Sequence, residues 1–181
     1  MDFGIIEHQI ERGASLARKA GLPTDGAENW LKTTAKPWAL ARLVEKSIGF
    51  IRRSGFRVKQ LEPGRTLCEM PLKGNTNHIG TMYAGALFTL AEVPGGALFL
   101  SSFDTQRFIP IVTEMTIKYV APAKGDVQLE VSLSQEEIDT LQAEANDKGK
   151  ATFTLDGELK SVKDGKVVAT SHGVYQLRRK K

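Results

Sequence analysis

One segment constrains this chain more than any other: Ala84 to Leu100, apolar on nearly every side and broken only by Thr89, Glu92, Pro94, Gly95 and Gly96. It is too long for one strand and too rich in alanine and glycine, so it reads as a helix. A helix apolar all round has to be covered on all sides. The same segment is too short and too interrupted to span a bilayer. The cover comes from what flanks it. Ahead of it lie two strand candidates, Phe56 to Leu61 and Arg65 to Leu72, with Pro63 and Gly64 as the turn between them. After it come four segments with period-two alternation: Ile109 to Tyr119, Val127 to Leu133, Ala151 to Leu155 and Val167 to Leu177. The expected fold class is therefore α+β, one curved antiparallel sheet wrapped around one long buried helix.

Smaller signals fill in the rest. Ser134 with Glu137 forms a capping box for a short helix whose apolar face is Ile138 and Leu141 and whose end is marked by Gly149. Asp164-Gly165 predicts a two-residue hairpin turn between the last two strands. Before residue 50 the pattern is helical. Phe3, Ile6, Ile10, Ala14 and Ala17 recur at helical spacing, Asp25 with Glu28 opens a second helix, and Pro37 opens a third. We read residues 1–49 as a helical extension packed on the body, and 50–181 as the domain proper.

Composition excludes several function classes. The formal net charge is only +4, and the run Arg178 to Lys181 ends the chain, so no nucleic-acid face is expected. The single cysteine, Cys68, cannot form an internal disulfide and sits in a strand-like stretch, which reads as a half-buried structural thiol in a cytosolic protein. His8, His78 and His172 are scattered, so neither a metal site nor a cofactor is expected. No secretory signal is apparent, because Glu7, Glu11, Arg12 and Arg18 interrupt the first twenty residues.

Chemistry concentrates between Asn75 and Gly96, in NTNHIGTMYAGALFTLAEVPGG. A glycine-bearing loop runs into the buried helix, whose free N–H groups near Tyr83 to Gly85 suit a developing oxyanion. Glu92 is the one carboxylate on an apolar helix, costly unless it is paired or useful. In the loop, Asn77 can hold a carbonyl or a water, and His78 can move protons.

This stretch resembles the signature of hotdog-fold thioesterases of the phenylacetyl-CoA and enterobactin-proofreading types. Their pattern is Asn or Gln, five residues, His-Gly-Gly, a small apolar turn, then Leu-Ala-acid. Asn77, Tyr83-Ala84-Gly85 and Leu90-Ala91-Glu92 fall on it without a gap, and the text from Ala84 on is closest to an uncharacterised bacterial branch of that fold. The resemblance implies hydrolysis of an acyl-CoA or acyl-carrier thioester at a dimer interface, by a homodimer or a dimer of dimers. It implies that Glu92 activates the hydrolytic water or attacks the thioester carbonyl. Ala84 N–H would polarise the carbonyl oxygen and Asn77 would place the thioester or the water, with Tyr83, Gly85, His78 and Phe88 bordering the substrate. Phe88, Leu87 and Met115 would line an acyl tunnel. The chain departs from the pattern at three places: Tyr83 replaces the histidine, Ala84 a glycine, and Gly96 stands where relatives often carry Ser or Thr. Two other functions fit the same fold. A dehydratase or hydratase pairs a loop histidine with a helix acid, and His78 and Glu92 are separated by thirteen residues as in the fatty-acid dehydratases. A non-catalytic protein would bind acyl-CoA without turnover.

Overall fold

The computed structural model describes residues 37–180, without the side chains of residues 37–39, 43 and 47. The two helices expected before Pro37 lie outside the described residues. The order is α1 (Pro37–Ser47), α2 (Gly49–Ser54), β1 (Arg57–Glu62), β2 (Arg65–Met70), α3 (Ala84–Ser102), β3 (Phe108–Tyr119), β4 (Val127–Ser132), α4 (Gln135–Lys148), β5 (Lys150–Ser161) and β6 (Val167–Arg179). The strands form one six-stranded sheet in the order β1-β2-β4-β5-β6-β3, antiparallel at every pairing. This is the hotdog arrangement, with α3 as the filling.

Alternation sets which face meets α3. Along β6, Ala169, Ser171, Tyr175 and Leu177 are buried while Thr170, His172, Val174 and Gln176 are only half-buried. Along β5, Ala151, Phe153, Leu155 and Leu159 are buried in the same way. The period of two puts each set on one face of the sheet, and that face covers the helix. β4 and β5 pair only through Val127↔Ser161 and Gln128↔Lys160. Beyond these pairs the two strands part, and α4 connects them, buries Ile138, Leu141 and Ala145 and packs against β5 and β6. Its capping box is formed as expected: Glu137 N–H donates to Ser134 Oγ, and Ser134 N–H donates to Glu137 Oε2 at 2.7 Å.

Two turns show what the backbone demanded. Gly64, between β1 and β2, has φ +77°, and a Cβ there would stand 2.6 Å from Leu133 O. Glycine is needed at that position for both conformation and space. The β5–β6 connection is wider than Asp164-Gly165 alone implies. Ser161 N–H bonds Lys166 O and Gly165 N–H bonds Ser161 O, so four residues, Val162 to Gly165, make the loop. β5 also runs on through Gly157 to Ser161, well past the expected Leu155. Gly157 looks like a strand breaker in sequence. In the fold it accepts a neighbour, since a Cβ there would stand 2.5 Å from Leu129 Cδ1.

Cys68 is fully buried in β2 and burial pushes its thiol up to about 12, which makes it a packing residue. Ser101 and Ser102 extend α3 beyond the apolar run, so that, contrary to the expectation from that run, the helix is long and apolar enough by length and composition to cross a membrane, but most of it is buried within the fold. It stays α-helical through Pro94, which has no N–H to donate. Tyr175 supports that turn: its Oη donates to Glu92 O at 3.1 Å, and its ring stacks on Phe153 at 5.6 Å. The ring is wedged between Gly95 of α3 and Gly173 of β6, where any Cβ would collide with it. Gly96, the next residue, faces open space.

These neighbours give opposite expectations. Gly95→Ala must displace a locked ring and should destabilise the protein by about 1–3 kcal/mol. Gly96→Ala meets nothing and gains helix propensity, so it should be neutral or stabilising by up to about 1 kcal/mol. Urea unfolding of the two variants checks both; equal effects would mean that Tyr175 yields.

Candidate functional site

The segment before α3 is built to present the helix start. Asn75 anchors it, donating from Nδ2 to Ser54 O at 2.7 Å and to Pro71 O at 2.8 Å, while its own carbonyl accepts Tyr83 N–H at 2.7 Å. Met82 N–H bonds Ala123 O at 2.8 Å. On the other side Tyr119, at the end of β3, donates from Oη to Ala84 O at 3.1 Å. The first turn of α3 is thus held from two directions.

Asn77 is engaged within the loop. Its Oδ1 accepts Ile79 N–H at 3.0 Å and Thr81 N–H at 3.1 Å, and its Nδ2 donates to Thr81 Oγ1 at 2.9 Å. Of its side-chain donors and acceptors, one Nδ2 hydrogen is left for anything else. His78 is exposed, and no hydrogen bond or ion pair joins it to Glu92 among the described residues.

Tyr83 is the N-cap of α3 with extended backbone, and no side chain caps the helix. Its carbonyl accepts Ala86 N–H and Leu87 N–H, and its own N–H is taken by Asn75. That leaves Ala84 N–H and Gly85 N–H without a partner among the described residues. They are two of the orphan donors at a helix start, at the positive end of the macrodipole. The Tyr83 ring lies over Gly85 so closely that a Cβ there would collide with it.

Glu92 sits two turns further along. The expectation that α3 is buried all round fails along one stripe. Ala84, Phe88, Glu92, Gly96 and Leu100 are all half-buried or exposed, whereas Leu87, Leu90, Ala91, Ala97 and Leu98 are buried. The sheet covers the rest of the circumference, and residues four apart lie above one another. Leu87 and Phe88 therefore do not line one cavity: Leu87 faces the sheet and Phe88, 41% exposed, faces outward. The Glu92 carboxyl has no hydrogen bond or ion pair among the described residues, and burial raises its pKa above the usual carboxylate value. Burial, with the Glu92 charge as a lesser cause, likewise raises the Tyr175 phenol.

Around the stripe lie the exposed apolar residues Ile79, Tyr83, Phe88, Tyr119 and Val120. Among the described residues β3 is an edge strand of the sheet, paired to β6 on one side only. No group of His, Cys, Asp and Glu among the described residues could hold a metal. Sequence reasoning missed both tyrosines that touch the α3 backbone. Tyr119 and Tyr175 were legible only as members of alternating strands, since nothing local marks which aromatic residue will reach a helix carbonyl.

The chain is similar in structure to several proteins. A Pseudomonas aeruginosa protein of unknown function, a probable thioesterase, is 53% identical, with 78% of this chain and 94% of that one covered and a TM-score of 0.75. A Chlorobaculum tepidum protein of unknown function is 20% identical over 80% and 94% of the two chains, with a TM-score of 0.69. A Staphylococcus aureus thioesterase, crystallised as a variant, is 20% identical over 72% and 99%, with a TM-score of 0.59. No curated protein matches the sequence. The fold is that of these thioesterase-like proteins, and residues 36–172 match the family model described as a domain of unknown function, DUF4442, so the chain belongs to that family.

Proposed function

We propose that this protein hydrolyses acyl-CoA thioesters in the cytosol, at a site completed by a second copy of the chain. The observation that carries the reading is the placement of two complementary groups on one open stripe. Ala84 and Gly85 offer free N–H donors, and Glu92 offers an unpartnered carboxylate with a raised pKa. Eight residues at 1.5 Å each separate Ala84 from Glu92 by about 12 Å along the helix. One thioester carbonyl with its attacking water cannot span that gap. Phe88 lies midway between them in sequence. Two α3 helices packed antiparallel about Phe88 would set Ala84 of one protomer opposite the partner's Glu92, and the free edge of β3 with the apolar residues beside it provides a surface for that pairing.

The chemistry follows from the pair. The thioester carbonyl oxygen accepts from Ala84 N–H and Gly85 N–H, under the Tyr83 ring. The partner's Glu92, ionised, takes a proton from water as its oxygen bonds the carbonyl carbon. Negative charge gathers on the carbonyl oxygen, where the N–H donors meet it. Collapse breaks the C–S bond, and the thiolate recovers the proton from the Glu92 carboxylic acid. Asn77 acts mainly by shaping the loop, with its one spare Nδ2 hydrogen directed to substrate or water. In the Staphylococcus aureus thioesterase a glutamine and a glutamate fifteen residues apart are each replaced by alanine in a crystal structure. Asn77 and Glu92 are fifteen apart, which supports the pairing of their roles. The same reading assigns the chemistry to residues 50–181 and treats 1–49 as an extension to that domain.

Thiol release followed across a panel of acyl-CoAs tests the reading. Glu92→Gln should lower kcat/KM by about a hundredfold or more, and equal turnover by both proteins would remove Glu92 from the mechanism. Binding without turnover by the wild type would point to an acyl-CoA-binding protein. Loss of dehydration in His78→Ala would point to a dehydratase.

Phe88→Asp places a charge at the centre of the expected interface. It should yield monomers in analytical ultracentrifugation and lose turnover with them; an active monomer would sink the shared site.

The raised pKa of Glu92 also predicts a pH signature. A carboxyl whose folded pKa exceeds its unfolded value favours the folded state when protonated, and that advantage is lost as pH rises through the folded pKa. Glu92→Gln should therefore be more stable than wild type at pH 8. The gap should close as pH falls to the ordinary carboxylate value of 4.5. Denaturant unfolding at both pH values is the check, and a gap that widens in acid would contradict it.

A further inference from the structure

The segment from α1 to β1 carries charge out of proportion to its length. Between residues 42 and 62 there are six cationic side chains and two acidic ones, an excess equal to the formal +4 of the whole chain. The fold gathers them around a groove. Between α1, α2 and β1 lies a cleft of about 780 Å³ lined by Arg42, Lys46, Arg52, Arg57 and Lys59, with Glu45 and Glu62 the acidic lining residues. All five cations are exposed.

The acids are largely committed. Glu45 accepts Val58 N–H at 3.0 Å, which covers the outer edge of β1, and lies 3.7 Å from Arg42. Glu62 accepts from the Gln60 amide at 2.9 Å. Arg57 and Lys59 share the single carboxylate of Glu69, each at 3.5 Å. Lys46 and Arg52 have no acidic partner among the described residues. The groove thus presents two free cations and two half-neutralised ones, an arrangement suited to phosphate oxygens.

Its position matters as much as its charge. Ser54, at the C-terminal end of α2, gives its carbonyl to Asn75 Nδ2 at 2.7 Å, and the Asn75 carbonyl takes Tyr83 N–H at 2.7 Å. A single residue links the helix that bears Arg52 to the start of α3, where Ala84 and Gly85 offer their N–H groups. A ligand with its reactive end at the start of α3 and a phosphorylated end some way off can reach both.

We propose that the α1–β1 groove is the binding site for the nucleotide phosphates of coenzyme A. The inference rests on the thioesterase reading above and extends it to the groove between α1, α2 and β1. A concave cleft of this volume matches a nucleotide-sized ligand. An acidic carrier protein would instead need a broad surface of about 800 Å² on its partner. Lys46 and Arg52 make the direct phosphate contacts, and Arg42, Arg57 and Lys59 supply the surrounding field.

The test is calorimetric, uses the full-length chain and needs no turnover. Coenzyme A and pantetheine, which lacks the nucleotide, are titrated into wild type and into the double variant Lys46→Glu/Arg52→Glu. Lys46→Gln/Arg52→Gln serves as a second variant in case charge reversal disturbs folding. Wild type should bind coenzyme A at least tenfold more tightly than pantetheine. Both variants should lose that advantage, with a smaller dependence of coenzyme A affinity on salt. Equal affinity of wild type for the two ligands, or unchanged coenzyme A binding in the variants, overturns the proposal. So would variants that keep coenzyme A but lose an acyl-carrier protein. Failure of the catalytic reading is seen separately, as turnover that survives Glu92→Gln, and leaves the calorimetric result intact.

Discussion

Everything in this fold depends on how one apolar helix is covered by one sheet. α3 has hydrophobic residues around its whole circumference, and a single curved sheet cannot close over all of it. The buried residues Leu87, Leu90, Ala91, Ala97 and Leu98 meet the sheet, each large one contributing about 1.5–3 kcal/mol. Close contact is made possible by two glycines. Gly95 and Gly173 accept the Tyr175 ring from either side, and its hydroxyl bonds the Glu92 carbonyl. Helix and sheet are thereby fixed in register directly beneath Glu92. Among the described residues, the stripe of every fourth residue from Ala84 to Leu100 is what remains open, and the proposed chemistry falls on it.

The same stripe holds two uncompensated polar features. The helix start has neither a side-chain cap nor an acid in its first turn, although a cap commonly adds about 1 kcal/mol. Among the described residues Glu92 has no ionic or hydrogen-bonded partner, and it carries the desolvation cost of its half-buried position. α4 provides the contrast within one chain, with its complete capping box and two acids in the first turn. A sequence able to cap α4 fully leaves α3 bare at the end where the proposed hydrolysis would place a carbonyl oxygen. Stability is forgone at both poles of the stripe, and the two poles are complementary in charge.

Much of this was legible in advance because it depends on local pattern. Alternation located the strands, the Ser134–Glu137 spacing located α4, and the lone acid on an apolar run singled out Glu92. What was not legible depends on which side chain arrives from a distant strand. Tyr175 and Tyr119 look like any aromatic residue in an alternating strand. Asn77 looked free to meet substrate, but the loop takes up most of its hydrogen-bonding capacity. Gly157 reads as an interruption of β5 because its reason, the closeness of Leu129, lies on another strand. The open stripe on α3 was hidden because hydrophobicity records what can be buried, and the sheet determines what is.

The substitutions at the start of α3 make sense in these terms. An oxyanion donor on the backbone is indifferent to its own side chain, so Ala84 preserves the N–H that a glycine would have offered. Tyr83 alters the chemistry more. An imidazole at that place could hold or move a proton at neutral pH; Tyr83 instead lays an aromatic ring over Gly85. The phenol of Tyr119, anchored to Ala84 O, is raised further by burial and by Tyr83 beside it. In the proposed hydrolysis the group that takes the proton from water also returns it to the leaving sulfur, and Glu92, whose pKa burial raises above the ordinary carboxylate value, is suited to do both.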